Sequence, residues 1–217
     1  MAEIDSTSGV TAKKMLVGVI AVIAAAAAIA IGTSLAGGES PRSAGDSRSE
    51  YRPVSVVGAP LPPLGRSGVD AAAGELAPVL SGKTFSGSSV TIDPARDGVP
   101  TMVVFLAHWC PHCNSEIPVL REWLDSGLVP DGLRVVGVTT ASRADQPNWP
   151  PSRWIEEKGW PWEVLVDSEQ QTAAVAYGVD GFPFMVIVDE NGVVKKRWSG
   201  EQGLEMITRL VNDAVGR

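Results

Sequence analysis

The sequence predicts an α/β domain with a mixed central sheet flanked by helices, preceded by one N-terminal transmembrane helix. Short, β-branched apolar runs alternate with helical segments over residues 59–217, which is typical of a sheet covered on both faces. Near the C-terminus, Asn191-Gly192 separates two strand-like runs, and Asn-Gly is a strong hairpin signal. Upstream of the domain, residues 15–35 carry no charge.

The uncharged segment is long enough to cross a membrane. It has 21 residues, and about 20 span the hydrocarbon core, whereas the apolar region of a signal peptide has about 7–15. We therefore predict a cytoplasmic tail (1–14), an anchor (15–36) and a flexible Gly- and Ser-rich linker (37–58). The α/β domain (59–217) is then extracytoplasmic in a single-pass protein of the cell membrane. Cleavage after the small-x-small sequence ending at Ala36 is the alternative.

Composition excludes several classes of function. The chain carries 18 basic and 25 acidic residues, a net charge of −7, without a dense basic block. Nucleic acid is therefore not an expected partner, because phosphate binding needs clustered Lys and Arg. Two cysteines cannot build a disulfide-stapled scaffold, so the core must be conventional. No cofactor and no metal site is predicted.

The elements of the domain follow from apolar periodicity and from Gly and Pro signals. The predicted strands are residues 84–92 (weak, interrupted by Gly87), 102–107, 133–138, 163–166, 184–188 and 193–198. The predicted helices are a segment from Cys110 to about Asp125, residues 151–158, residues 170–177, and a C-terminal helix with Leu204, Ile207, Leu210, Val211 and Ala214 on one face.

The only two cysteines lie in Trp109-Cys110-Pro111-His112-Cys113, between the strand at 102–107 and the following helix. Pro111 suits the first helical position, because its missing N–H would have no partner there. The N–H groups and dipole of a helix N-terminus stabilise an anion. Cys110 is therefore expected to react as a thiolate nucleophile. Cys113, one turn further on, is close enough to form a disulfide with it and should be more shielded.

Three other interpretations of this motif are weaker. A zinc site of Cys110, Cys113, His108 and His112 would take all four ligands from within six residues, whereas structural zinc sites join two separated pairs. A purely structural disulfide closing so short a loop would stabilise the fold little. Inert buried thiols do not fit a position at a helix start. Redox chemistry is the favoured interpretation.

At this point the chain resembles the thioredoxin superfamily, and within it the membrane-anchored TlpA/ResA/CcmG-like branch. The resemblance covers about residues 58–217. It rests on Trp109, the two cysteines, Glu116, Pro118 and Leu120, which follow a CxxCxxExPxL pattern, and on Tyr177-Gly178-Val179-Asp180-Gly181-Phe182-Pro183 before the hairpin. The family pattern implies a thioredoxin-like fold in which Pro183 is a cis proline packed against the dithiol.

The resemblance also implies an activity, that of a thiol–disulfide oxidoreductase. Cys110 would form a mixed disulfide and Cys113 would resolve it. Phe182 and Pro183 would offer backbone to the extended substrate. The supporting residues would be Trp109, Pro111, His112 and Glu116.

The expected substrates are cysteine-containing proteins, for instance apocytochrome in cytochrome c biogenesis, and a membrane redox partner would supply or remove electrons. We favour a TlpA-like reductase. Two alternatives stay open: a DsbA-like oxidase that introduces disulfides, and a non-enzymatic tethered chaperone or metal- or heme-handling module. Two thiols without added Met or His clusters make a thin copper site, which disfavours the module.

The sequence departs from the family pattern in two ways. Six residues before Cys110, where relatives carry an acid or a polar residue, stands Val104. Glu163 and Asp167 are candidates to assist the deprotonation of Cys113, although each is expected to be a solvated surface residue. The Pro111-His112 dipeptide is similar to DsbA, in which a His beside the thiolate makes the disulfide more oxidising. An exposed His112 without a partner is the alternative.

Three further expectations follow. A peroxidase is disfavoured, because the peroxiredoxin pattern needs Pro and Thr where this chain has Val103 and Ala107. Four tryptophans between residues 149 and 162 are expected to cap the core rather than to form a peptide-binding platform. His108 is expected at the surface.

Overall fold

The computed structural model describes residues 49–65 and 69–216. The predicted tail, the anchor and residues 37–48 of the linker lie outside this part. Within the described ranges, no helix is both long enough and apolar enough to span a bilayer.

Eight strands form one sheet, and five helices accompany it in the described part of the chain. The strands are β1 (Ser55–Val57), β2 (Val79–Lys83), β3 (Ser89–Ile92), β4 (Thr101–Leu106), β5 (Arg134–Thr139), β6 (Glu163–Val166), β7 (Phe184–Val188) and β8 (Val194–Ser199). The helices are α1 (Pro94–Asp97), α2 (Pro111–Asp125), α3 (Pro151–Glu157), α4 (Thr172–Ala176) and α5 (Leu204–Val215).

The sheet is mixed, as predicted. Its strand order is β1-β2-β6-β5-β4-β7-β8, with β3 paired to β2. Strands β4, β5 and β6 run parallel, whereas β7 is antiparallel to β4 and β8 to β7. The central strand β4 is buried along its whole length, which explains why its sequence is a continuous apolar run.

Alternate residues of β4 enter two core layers, one on each face of the sheet. Val103 and Phe105 belong to the first layer, with residues of α4. Val104 and Leu106 belong to the second, with buried residues of α2, α3 and α5. Cys110 and Cys113 lie in this second layer. The segment 109–113, called the redox motif below, is therefore part of the main core rather than of a surface loop.

The predicted strand at residues 84–92 is wrong over its first half. Residues 84–88 form a turn closed by Thr84 N–H donating to Ser88 O at 2.9 Å, with Gly87 at φ +92°. Strand β2 precedes this turn and was not predicted. Its five residues include Ser81 and Gly82, which interrupt the apolar alternation from which a strand is recognised.

The predicted linker extends too far toward the C-terminus. Residues 55–57 form β1, and Val57 pairs with Val79 of β2. Residues 49–52 also make hydrogen bonds to the domain. A three-residue strand gives no periodic signal in the sequence, and its place is fixed by pairing with β2.

Candidate active site

The redox motif lies where β4 ends and α2 begins, as predicted. Cys110 is the N-cap residue of α2, with an extended backbone, and Pro111 is the first helical residue. The Cys110 N–H donates to Ala107 O at 3.0 Å. The carbonyl of Cys110 accepts from the Asn114 side chain at 2.9 Å. Both backbone groups of the cysteine are therefore held, so its side chain has a defined direction.

The two cysteines are free thiols that differ in burial. Cys110 is 5% exposed and Cys113 is 0% exposed, so the expectation that Cys113 is the shielded one is confirmed. Burial raises the pKa of Cys113 well above its ordinary range, a hydrogen bond at the backbone of Ala107 opposes the rise, and the charges of Cys110 and Glu116 add to it. Cys113 is therefore a protonated thiol until a base takes its proton.

The Phe182–Pro183 peptide bond is cis and lies against the first cysteine. The Cys110 Sγ–H donates to Phe182 O at 3.5 Å. The ring of Phe182 packs edge-on against Trp109, with centroids 5.9 Å apart. The structure thus brings two pairs of neighbouring residues together, Trp109 with Cys110 and Phe182 with Pro183. Cys110 and Phe182 are 72 residues apart in the sequence. Their roles in catalysis stay predictions.

Glu116 is the acid that lies beside Cys113, on the same face of α2 three residues later. It is 0% exposed. Its Oε2 accepts from the Gln202 N–H at 2.8 Å, whereas its Oε1 has no partner among the described residues. Burial raises the pKa of Glu116 to about 7, against the hydrogen bond from Gln202 and with a further contribution from Glu201. A carboxyl that titrates near neutral pH suits proton transfer.

The other two acids considered for this role have structural tasks. Glu163 is exposed and accepts from Arg134 at 2.8 Å, which confirms a surface position. The same expectation for Asp167 is wrong, because Asp167 is buried. Its carboxylate accepts from the Thr140 hydroxyl at 2.7 Å and from the Ala173 N–H of α4 at 2.8 Å. It therefore caps a helix that lacks a side-chain cap of its own at its N-cap residue.

His112 lies on the exposed side of the motif, with 63% of its side chain accessible. It does have a partner, because its Nδ1 lies 3.4 Å from Glu201 Oε2. The interpretation of His112 as an exposed residue without a partner is therefore wrong. Glu201 faces the exposed His112 and also raises the pKa of the buried Glu116. The same carboxylate therefore interacts with one exposed and one buried residue of α2.

His108 is buried, and its expected surface position is wrong. It is 1% exposed. Its Nδ1 lies 2.7 Å from Pro147 O and its Nε2 accepts from the Arg143 N–H at 3.1 Å, which assigns the proton to Nδ1. Burial lowers the pKa of His108. Both ring nitrogens are occupied by backbone groups, so ligation of zinc would require breaking one of these bonds.

Three of the four clustered tryptophans cap the core, as expected. Trp154 is buried, and Trp160 and Trp162 pack on the second core layer with their rings 5.1 Å apart. Trp149 differs, because it lies at the surface against His108. Its ring centroid is 6.2 Å from that of Tyr51.

A groove of about 470 Å³ adjoins the redox motif and was not predicted. It is lined by Trp109 and Phe182 and by Tyr51, Ser142 and Arg143. The Arg143 guanidinium lies 5.5 Å from the centre of the Trp109 ring. Tyr51 and the loop after β5 showed no motif in the sequence, because only the tertiary fold brings them to the site.

Comparison with known proteins is consistent with this geometry. Residues 73–197 match the model of the AhpC/TSA family. The chain is 25% identical over 127 residues to the thiol:disulfide interchange protein DsbE of Haemophilus influenzae, covering 58% of this chain and 65% of that protein. It is 28% identical over 150 residues to the thiol:disulfide interchange protein HelX of Rhodobacter capsulatus, covering 69% and 77%. The match thus spans just under two thirds of the Haemophilus protein's own length.

Solved structures agree on the fold. The thioredoxin domain of a thiol-disulfide oxidoreductase from Bacteroides vulgatus is 26% identical, with a TM-score of 0.50 over 65% of this chain and 99% of that one. A thioredoxin family thiol:disulfide interchange protein from Chlorobium tepidum, 24% identical, also has a TM-score of 0.50, over 66% and 97%. The predicted thioredoxin-like α/β fold is confirmed. The chain belongs to the AhpC/TSA family of thioredoxin-like proteins, and the relatives named above are thiol:disulfide interchange proteins.

Proposed function

We propose that the chain is a protein thiol–disulfide reductase in which Cys110 and Cys113 exchange two electrons with cysteines of other proteins. The observation that carries the proposal is the arrangement of the two thiols. Cys110 lies under the carbonyl of Phe182, beside the cis Pro183, and Cys113 is fully buried behind it. This difference in burial supports attack on the substrate by Cys110 and resolution of the mixed disulfide by Cys113.

The first step is attack by the Cys110 thiolate on a substrate disulfide. The S–S bond of the substrate breaks, a mixed disulfide forms, and one substrate sulfur leaves as a thiolate. Cys110 is the N-cap residue of α2, and the positive end of the helix dipole stabilises a thiolate at that position. We assign the contact with an extended substrate segment to Phe182 and Pro183, as the family resemblance implies.

The second step is resolution by Cys113. Its thiolate attacks Cys110 Sγ, the mixed disulfide breaks, and the second substrate sulfur leaves, so the substrate is reduced and Cys110–Cys113 is oxidised. Cys113 needs a base because its pKa is raised by burial. Glu116 is placed on the same helix face with a pKa of about 7. We assign it the proton of Cys113.

The pairing of His112 supports reduction over oxidation. A protonated His beside the thiolate stabilises the reduced protein and makes the disulfide more oxidising. Here the Glu201 carboxylate lies 3.4 Å from the ring and offsets that positive charge. A DsbA-like oxidase remains the second candidate, since the Pro111-His112 dipeptide favours it.

The location and partners belong to the same proposal. An anchor over residues 15–36 would hold the domain on the extracytoplasmic side of the cell membrane, because Lys13 and Lys14 adjoin the apolar run and favour a cytoplasmic N-terminus. A reductase in that compartment needs electrons delivered by a membrane redox partner. Its substrates would be proteins whose cysteines are oxidised there.

The reduction potential of Cys110–Cys113 tests the direction of electron flow. The full-length chain in detergent is equilibrated against a glutathione or dithiothreitol series, and the thiols are counted. We expect a value near roughly −270 mV, the reductase end of the scale. A value near roughly −120 mV would instead identify an oxidase. Stoichiometric metal in protein purified under reducing conditions would favour a metal-handling module.

Replacing His112 with alanine is expected to lower the potential by about 30 mV, which for two electrons corresponds to about 1.4 kcal/mol. The reason is the loss of an imidazole whose protonated form would stabilise the Cys110 thiolate. The effect should be small because the Glu201 carboxylate, 3.4 Å from the ring, would offset the charge of that form. An unchanged potential would show that His112 does not interact with the thiolate. The Arg96→Gln variant, at an exposed ion pair in α1, serves as the control.

A further inference from the structure

Residues 49–52 form a strap, here called the N-terminal strap, that is attached to the loop after β5. The Tyr51 hydroxyl donates to Ser142 O at 2.9 Å. The Glu50 carboxylate accepts from the Ser152 N–H at 2.9 Å and from the Ser152 hydroxyl at 2.7 Å. Helix α3 has Pro150 at its N-cap position and no side-chain cap there. Glu50, about 100 residues upstream, therefore supplies a cap that the helix lacks locally.

The loop between β5 and α3, residues 140–150, is called the groove loop. Tyr51 bonds to it directly at Ser142, and Glu50 bonds to Ser152, in the first turn of the helix that follows it. Two of its residues, Ala141 at φ +49° and Asn148 at φ +63°, have left-handed backbone conformations. Non-glycine residues are uncommon in this region, although asparagine tolerates it, so the conformation of Ala141 in particular has to be held by its surroundings. The strap holds the loop from outside. His108 holds it from inside, through its bonds to Arg143 and Pro147.

The groove loop in turn contacts the residues that precede Cys110. Trp109 Nε1–H donates to Ala141 O at 2.8 Å, and Asn148 donates to His108 O at 2.8 Å. The Arg143 guanidinium lies over the Trp109 ring. A continuous series of hydrogen bonds therefore runs from the strap through the groove loop to the residue next to the nucleophile.

We propose that Glu50 and Tyr51 are positioning residues that hold the groove loop against Trp109 and thereby shape the groove that binds the polypeptide around the attacked disulfide. The inference rests on the proposed reductase function. Tyr51, Ser142 and Arg143 line the groove together with Trp109 and Phe182, so displacement of the loop changes the shape of the groove. A small disulfide needs only Cys110 and is not sensitive to the position of the groove loop.

The test compares two disulfides in single-turnover reactions with the pre-reduced, full-length chain. One is a peptide of about ten residues with an internal disulfide, and the other is 2-hydroxyethyl disulfide. For a Glu50→Ala/Tyr51→Phe variant, we expect the half-saturation concentration for the peptide to rise about tenfold with its limiting rate within about twofold. The rate with 2-hydroxyethyl disulfide should stay within about twofold. Amide hydrogen exchange should become faster in residues 140–150 and stay unchanged in β4.

The matched control is Tyr177→Phe. Tyr177 and Tyr51 are the only two tyrosines, and each donates its hydroxyl to a backbone carbonyl at 2.9 Å. Tyr177 lies in the first core layer, so its variant should lower the melting temperature without changing the ratio of the two rates. If the strap variant behaves in the same way and exchange in the groove loop does not change, the strap is only structural and the proposal fails. A wild type that reduces neither disulfide contradicts the reductase function, and hydrogen exchange then decides the positioning role by itself.

Discussion

Replacing Cys110 with serine is expected to lower the rate of thiol–disulfide exchange by more than about 10³-fold, because a hydroxyl cannot replace the thiolate as nucleophile or form the mixed disulfide. Replacing Cys113 with alanine should have a different result. Cys110 still attacks, but the mixed disulfide is not resolved and accumulates. The difference follows from burial, since Cys110 keeps a small exposed fraction of 5% beside Phe182 O and Cys113 is 0% exposed.

The measurement is non-reducing electrophoresis of cells expressing each variant, followed by mass spectrometry of the trapped species. Cys113→Ala should yield covalent complexes that dithiothreitol releases, and Cys110→Ser should yield none. The Cys110→Ser/Cys113→Ala variant is the control for unspecific trapping. Complexes recovered equally from Cys110→Ser would assign the nucleophile to Cys113 and reverse the proposed order. Recovery of none from Cys113→Ala would count against protein substrates.

The sequence was informative where the signal is local. A β-branched run followed by Cys110 and Pro111 predicts a strand and a helix start, and the structure has both in that order, with Cys110 between them. The role of Cys110 as the nucleophile stays a prediction. The cis peptide before Pro183 was expected only from the family resemblance, because a proline in a turn is usually trans. Local chemistry and a family pattern together located the site.

The sequence was not informative where a residue's role depends on distant partners. His108 and Asp167 are polar residues expected at the surface, and each is buried. The partners of His108, and Thr140 as a partner of Asp167, lie 27 to 39 residues away, and such hydrogen bonds compensate for the loss of water. Glu50 and Tyr51 fell in a segment predicted as linker, and their partners lie 102 and 91 residues away. Such contacts carry no periodicity and no motif.

Glu116 shows how a core position can carry chemistry. In the sequence, Glu116 was predicted only as a supporting residue of the CxxCxxExPxL pattern. At the position in β4 where relatives carry an acid or a polar residue, this chain has Val104. The structure buries Glu116 fully, on the same helix as Cys113, which belongs to the second core layer. A buried carboxyl with an unpartnered Oε1 is costly for stability. A carboxyl at this core position is explained if Glu116 takes up the proton of Cys113 during the reaction. This role and the raised pKa have two measurable consequences.

The first consequence is a pH-dependent stability. In the folded protein Glu116 keeps its proton up to about pH 7, whereas its ordinary pKa is 4.5. Its protonated form therefore stabilises the fold fully below the ordinary pKa, and this contribution is lost as the pH rises through about 7. The free energy of unfolding of the reduced wild type, relative to Glu116→Gln, should fall by about 2 to 3 kcal/mol from pH 5 to pH 8. Urea unfolding at the two pH values measures this difference.

The second consequence is a slower resolving step. Above pH 7 the Glu116 carboxylate accepts the Cys113 proton, so the rate at which a preformed mixed disulfide resolves should rise with a midpoint near pH 7. Glu116→Gln should lose that midpoint and slow resolution at pH 8 by about 10²-fold, the typical contribution of a general base. Glu122→Gln, at an exposed position of the same helix, is the matched control. An identical pH profile in wild type and Glu116→Gln would remove Glu116 from the proton transfer, whatever its effect on stability. If the profile changes and the stability difference does not, Glu116 acts as the base without the raised pKa that burial gives it.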